Sequence, residues 1–151
     1  MIVNEVAKNV EKIISIDTAK NSFQVLVVNQ KTGKKKNTKV QRSKFVEYIL
    51  KQGPCLIFME SCSASQHWAR LFESFGFTVK LIAAQHVKAF LRNRRVKNDE
   101  RDAEAIYKCG IQPDTKFVRI KTVEEQTVAL LHTCLDFIFL WSASFLHFSQ
   151  S

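Results

Sequence analysis

Residues 12–17 have the sequence KIISID, and residues 55–60 have the sequence CLIFME. Both are short, mostly apolar runs, which is typical of buried strands, and both end in a single carboxylate. If the two strands are parallel neighbours, Asp17 and Glu60 emerge at the same edge of the sheet. Open α/β sheets bind their ligands outside the carboxyl ends of their strands, so this edge is the predicted site.

The segments around these runs predict an α/β fold with a mixed sheet flanked by helices. The stretch KKKNTKVQ over residues 34–41 is polar, and its place after a hairpin signal indicates a solvent-facing edge strand. Antiparallel strands come first and crossover helices later, as in a mixed sheet. The other predicted strands are 22–29, 77–83 and 116–120, and the predicted helices are one that Ser43 caps and Gly53 ends, then 66–75, 85–95 and 98–109.

The composition indicates a globular, strongly basic protein. The 151 residues include 46% apolar residues, four Gly and two Pro, which excludes disorder as the main state. Residues 1–121 hold 23 basic and 11 acidic residues, a net charge of +12, whereas residues 122–151 hold three acids and no Lys or Arg. An excess of positive charge of this size favours a nucleic-acid partner, because each Lys or Arg that replaces a counterion on the phosphate backbone gains free energy by releasing it.

The cysteines and the N-terminus indicate a cytoplasmic protein. Cys55, Cys62, Cys109 and Cys134 form no C-x-x-C pair, so neither a zinc site nor a disulfide framework is predicted, and we expect reduced thiols. The first 12 residues carry acids and no apolar segment, so no signal peptide is predicted.

Two further acids extend the predicted site. Asp99 and Asp102 are three residues apart on a predicted helix and therefore share a face. If they join Asp17 and Glu60, four carboxylates repel one another unless a cation neutralises them. Magnesium prefers such oxygen ligands, and a pair of ions can hold both the attacking and the leaving oxygen of a phosphodiester. The pattern therefore predicts metal-dependent cleavage or exchange of nucleic-acid strands.

Each acid also has a structural explanation, which the sequence leaves open. Asp99 and Asp102 could stabilise a helix N-terminus, Asp17 could belong to a turn, and Glu60 could cap the following helix. Only the four together favour catalysis.

Two basic clusters are candidates for nucleic-acid binding beside these acids. One lies on the predicted edge strand and the other precedes Asp99, where it could lead a phosphate backbone to the carboxylates. Protection of the edge strand and a solvated helix face are the alternatives. The residues are Lys34, Lys35, Lys36, Lys39, Arg92, Arg94, Arg95 and Lys97.

Four motifs resemble, in order and spacing, the N-terminal domain of the DEDD transposases of the insertion sequence one-ten family. They are IDTAK over 16–20, FMESCSASQHWAR over 58–70, GFTVKLI over 76–82 and KNDERDAEAI over 97–106. The resemblance covers about residues 12 to 126 and implies a ribonuclease H-like, RuvC-like fold.

The resemblance also implies an activity, a cofactor and partners. Asp17, Glu60, Asp99 and Asp102 would hold Mg²⁺ or Mn²⁺, and the protein would cleave and exchange DNA strands in transposition of an insertion sequence. A structured RNA from the element would guide it. We expect full-length members to be homo-oligomers and to act in the cytoplasm at the bacterial nucleoid.

The tail departs from the family pattern and divides the chain into 1–121 and 122–151. The resemblance implies an arginine-rich helical segment there, followed by a C-terminal domain with a serine nucleophile. This sequence continues instead as TVALLHTCLDFIFLWSASFLHFSQS. We expect that a frameshift or premature stop produced this tail and that the isolated chain is therefore catalytically inactive. The alternative to a catalytic function is that of a truncated remnant, which binds nucleic acid without cleaving it.

A membrane span is the other interpretation of the tail. Residues 127–148 include 15 apolar residues out of 22, near the length of a spanning helix. Asp136 near the centre and the lack of flanking positive charge favour an apolar helical extension of the domain instead, with no membrane partner.

Overall fold

The computed structural model describes residues 4–91 and 99–148, excluding the side chains of residues 99, 100 and 139–148. Its strands are β1 (Lys12–Thr18), β2 (Ser22–Asn29), β3 (Lys35–Gln41), β4 (Leu56–Glu60), β5 (Thr78–Ile82) and β6 (Phe117–Val118). Its helices are α1 (Phe45–Leu50), α2 (Ser63–Ser74), α3 (Ala84–Leu91), α4 (Asp99–Gly110) and α5 (Val123–Phe148).

The six strands form one mixed sheet in the order β3-β2-β1-β4-β5-β6. The first three strands are antiparallel, β4 is parallel to both β1 and β5, and β6 is antiparallel to β5. This confirms the predicted α/β mixed sheet flanked by helices, and the arrangement is ribonuclease H-like. It also confirms that the two acid-ended strands are parallel neighbours.

Helices cover both faces of the sheet, because side chains along each strand alternate between the faces. One face packs on the aromatic side chains of α1 and α2, namely Phe45, Trp68 and Phe72. The other face packs on α3 and α4 through Ile13, Leu56 and Phe58, which meet Val87, Ala105, Ile106 and Cys109. The acid-bearing helix α4 thus lies on the second face.

Helix α4 approaches β4 closely at its last residue. A Cβ atom on Gly110 would lie 2.5 Å from Cδ2 of the fully buried Phe58 ring. Only glycine lets the helix backbone rest on that ring, which fixes the distance between α4 and the sheet at this end.

Two predicted helix starts were wrong. Helix α2 begins at Ser63 rather than at Gln66, because Cys62 and Ser65 form a reciprocal capping box. Ser43 does not cap α1: it lies in a 3-10 turn over Arg42–Lys44 that runs directly into the helix and takes up its first N–H group. The part of the predicted helix 85–95 beyond Leu91 lies outside the described residues.

The chain divides into two compact units, Met1–Ile120 and Lys121–Ser151. The second unit contains the predicted helical extension, α5, whose start is fixed by a capping box between Thr122 and Glu125. Among the helices that the structure describes, none is sufficiently long and apolar to cross a membrane.

Candidate active site

Asp17 and Glu60 lie side by side on the face of the sheet that α4 covers. Ile16 of β1 is in register with Met59 of β4, so the next residue of each strand is an acid. Registered residues of parallel neighbours point to the same face. Both carboxylates are half-buried. The structure therefore brings together the two acids that the sequence places at strand ends.

Helix α4 brings Asp102 to the same region. The hydroxyl of Ser15 donates a hydrogen bond of 2.7 Å to the carbonyl of Ala103, the residue after Asp102. Ser15 precedes Asp17 by two positions, so both side chains point towards α4. At this placement the negative charge of Asp102 acts on the carboxyl of Glu60.

The carboxyl of Glu60 is hard to ionise where it lies. Burial raises its pKa above the ordinary value, and the negative charge of Asp102 raises it further, while the ammonium of Lys88 on α3 opposes them. The net direction is upward, so the charged form is disfavoured in the folded chain. A cation between the carboxylates would relieve this cost.

Asp99 is the first residue of α4, and its side chain lies outside the described residues. Its spacing of three from Asp102 keeps both positions on one face of the helix. A carboxylate there also complements the helix dipole, which is the structural role that the sequence offers for this residue. Among the described side chains, no three His, Cys, Asp or Glu converge closely enough to hold a metal ion as they stand.

The structural alternatives for the other two acids were wrong. Glu60 does not cap α2, because the N-cap is Cys62, whose thiol accepts from the Ser65 amide at 3.4 Å. Asp17 lies within β1 and pairs with Gln24 rather than forming a turn.

A contact that the sequence did not reveal joins two residues that closely follow Asp17 and Glu60 in the chain. The Cys62 thiol lies 3.5 Å from the hydroxyl of Thr18, the residue after Asp17. Burial alone would raise the pKa of this thiol, but hydrogen bonds from Thr18 and Ser65 outweigh it and the pKa lies below its usual value. The contact joins the end of β1 to the loop after β4.

Ser15 and Lys88 were also missed. A polar residue in an apolar strand, two positions before a candidate acid, is a signal that could have found Ser15. Lys88 had no such signal, because 28 residues separate it from Glu60.

The strand register divides the edge lysines between the two faces of the sheet. Lys39 pairs with Gln24, which also pairs with Asp17, so Lys39 is on the acid-bearing face. Lys35 is on that face too, 3.9 Å from Glu104 of α4. Lys36 is on the opposite face, and Lys34 precedes β3. The predicted basic residues Arg92, Arg94, Arg95 and Lys97 lie outside the described residues.

The fold and the carboxylates on two neighbouring strands place the chain in the ribonuclease H-like class of α/β domains. Residues 14–134 match the family model of the IS110 DEDD transposases, described as a transposase, and the chain belongs to this family. The resemblance stated from the motifs is thus confirmed, and the matched region reaches into α5.

Three curated relatives support this membership. The chain is 39% identical over 132 residues to the y4pF/y4sB protein of Sinorhizobium fredii, which is named as a transposase (86% of this chain, 34% of the relative). It is 33% identical over 120 residues to the transposase for IS1111A of Coxiella burnetii (80% and 32%) and 32% identical over 124 residues to that for IS1328 of Yersinia enterocolitica (82% and 36%). The chain spans about a third of the length of these relatives.

Proposed function

We propose that this chain is the RuvC-like, metal-binding catalytic domain of an insertion-sequence transposase, which cleaves and exchanges DNA strands. The observation that carries the proposal is the placement of Asp17 and Glu60 on adjacent parallel strands beneath the helix that bears Asp102. Open α/β sheets use this edge for their ligands.

The donor atoms suit Mg²⁺ or Mn²⁺. The candidate ligands are Asp17, Glu60 and Asp102, with Asp99 as the fourth, and their carboxylate oxygens are the donors that hard divalent ions prefer. When bound, such ions activate an attacking oxygen and stabilise a leaving one at a phosphodiester. The raised pKa of Glu60 supports a cation here, because the folded chain disfavours this carboxylate when no cation is near it.

DNA is the proposed substrate, and a structured RNA from the element is the proposed guide. The net charge of +12 over residues 1–121 supports a polyphosphate partner. Lys35 and Lys39 support a path to the acids, since they share the acid-bearing face of the sheet. The sequence offers the basic segment that precedes Asp99 as a further candidate for phosphate contacts.

The basic surface also favours a second candidate function, in which the chain binds nucleic acid without cleaving it. In that case the Lys and Arg side chains are needed for the function and the carboxylates are not. The two candidates therefore differ in whether the carboxylates bind metal.

Calorimetric titration with Mn²⁺ separates the two candidates. We expect the native chain to bind Mn²⁺ and Asp17→Asn and Asp102→Asn to weaken binding at least about tenfold, because each removes a ligand. Glu73→Gln is the matched control, since it removes one exposed carboxylate on α2. Equal Mn²⁺ uptake by all four proteins would refute the shared site and leave the binding function.

A further inference from the structure

We propose that Ser15 is a positioning residue that fixes α4 on the sheet, so that Asp102 is held beside Asp17 and Glu60. The inference rests on the proposed function for its consequence, but its structural part concerns only Ser15 and α4.

The hydroxyl of Ser15 is unusual for its surroundings. Ser15 is fully buried and lies among Ile13, Ile14 and Ile16, which are fully buried as well. A buried hydroxyl costs free energy unless it is hydrogen-bonded, so an apolar side chain would be the simpler choice for stability. The hydroxyl donates its hydrogen bond to the carbonyl of Ala103, 88 positions away in the sequence.

Both ends of this hydrogen bond are next to candidate ligands. Ala103 directly follows Asp102, and Ser15 is two positions before Asp17 on the same face of β1. Two strand positions span about 7 Å. A shift of α4 is therefore transmitted to the carboxylates over a short distance.

The hydrogen bond supplies a direction that apolar packing lacks. The buried part of the α4 contact with the sheet includes hydrophobic residues such as Ala105 and Ile106, and such burial has no preferred direction. Sliding the helix by one residue moves it about 1.5 Å and turns its side chains by about 100°. That slip would carry Asp102 away from Glu60, whereas a 2.7 Å hydrogen bond to one carbonyl selects a single register.

Gly110 and Phe58 form the second anchor, seven residues further along α4. Seven residues correspond to about 10 Å along the helix axis. The contact with the Phe58 ring limits how closely that end of the helix lies, whereas the hydrogen bond of Ser15 holds the end that bears Asp102. Ser15 therefore acts directly beside a candidate ligand, which this anchor does not.

A stabilising role alone makes a different prediction from a positioning role, and two variants separate them. Ser15→Ala removes the hydroxyl and costs about 1 kcal/mol of folding stability. Ile14→Val is the matched control: it changes the adjacent buried residue, on the opposite face, at a similar cost of about 1 kcal/mol. If Ser15→Ala does not fold, Ser15→Cys replaces it, since the thiol keeps the size and is only a weak donor.

The readouts are hydrogen exchange of the α4 amides without metal, followed by mass spectrometry, and calorimetric binding of Mn²⁺. We expect the Ser15 variant to exchange its α4 amides faster than Ile14→Val and to bind Mn²⁺ at least about tenfold more weakly, as when a residue that orients metal ligands is removed. Ile14→Val should bind Mn²⁺ within about twofold of the native chain, because the ligands stay in place.

Failure of this inference and failure of the proposed function give different results. If α4 exchange in the Ser15 variant equals that in Ile14→Val, the positioning role is overturned, whatever the metal affinity. If the native chain binds no Mn²⁺ but the Ser15 variant still loosens α4, the structural role of Ser15 stands and the proposed metal site fails. Faster α4 exchange with unchanged Mn²⁺ affinity would overturn the link between Ser15 and the carboxylates.

Discussion

Lys39 and Asp17 lie on the same face of the sheet, separated by a single strand. Both are in register with Gln24, which is buried and donates a hydrogen bond of 2.6 Å to Asn37. A polar row therefore runs from the edge strand to the first candidate acid. Lys36, three residues before Lys39 on the same strand, faces the other side.

This difference predicts unequal effects of two variants that each remove one charge. Lys39→Gln should weaken DNA binding and reduce the magnitude of the negative slope of log affinity against log salt by about one unit, because one phosphate contact is lost. Lys36→Gln should leave the slope unchanged, since it faces away from the acids. Fluorescence anisotropy with labelled duplex DNA at several salt concentrations measures both. Equal slopes for the two variants would mean that the faces of β3 do not differ in binding.

Glu60 predicts a dependence of stability on pH. Its pKa is raised in the folded chain above the ordinary 4.5. The folded state therefore binds the proton more tightly than the unfolded state, and the native chain loses stability as the pH rises through this raised pKa. Glu60→Gln carries no negative charge at this position. Without metal, its Tm at pH 7 should therefore be about 1 to 3 °C higher than that of the native chain.

Below pH 4.5 this advantage should disappear, because Glu60 is then protonated in both states. Thermal unfolding followed by circular dichroism from pH 3.5 to 7 measures the difference. Glu73→Gln serves as the control for removal of an exposed carboxylate. A Glu60→Gln variant that is less stable than the native chain at pH 7 would contradict the unfavourable charge.

The strands were largely predictable from the sequence, for a physical reason. Runs such as KIISID and SFQVLVVN consist of residues that are buried or half-buried in the fold, and their apolar pattern and β-branching are local properties of the sequence. Strand β2 has the predicted bounds. The start of α2 was not predictable in this way, because a cysteine is an uncommon N-cap and its partner is the Ser65 side chain.

The candidate site depends on contacts that the sequence does not contain locally. The pairing of β1 with β4 follows from topology, so Asp17 and Glu60 could be joined as a hypothesis before the structure. The position of α4 on the sheet could not be predicted, because it depends on a hydrogen bond between residues 88 positions apart and on the lack of a Cβ atom where Gly110 meets Phe58. The effect of Lys88 on Glu60 is equally non-local.

The close approach of α4 predicts a large cost for a small substitution. Gly110→Ala should destabilise the chain by about 1 to 3 kcal/mol, because the new methyl group meets a Phe58 ring that is buried on all sides. This net loss already allows for the gain of up to about 1 kcal/mol that alanine brings within a helix. Urea unfolding measures the change.

Lys108→Ala is the control on the same helix. It removes a partly exposed ion pair of 3.0 Å with Glu104, which contributes at most about 0.5 kcal/mol. A Gly110→Ala variant as stable as Lys108→Ala would show that α4 can move away from Phe58 at little cost.

The Thr18 hydroxyl predicts the reactivity of Cys62. The thiol has a lowered pKa and is exposed, whereas burial raises the pKa of Cys55 to about 11. The thiolate is the reactive form, so Cys62 should be alkylated by iodoacetamide well before Cys55 at pH 7.5. Thr18→Val keeps the shape and removes the hydroxyl, which should raise the pKa of Cys62 and slow its alkylation about two- to fivefold.

Mass spectrometry of digested samples over time gives the rate at each cysteine separately. Cys134, exposed on α5 and far from Thr18 in sequence, is the internal control, and its rate should be the same in both proteins. If Cys62 reacts equally fast with and without the Thr18 hydroxyl, the contact between the end of β1 and the α2 cap does not influence the thiol, and the two strand ends are not joined through it.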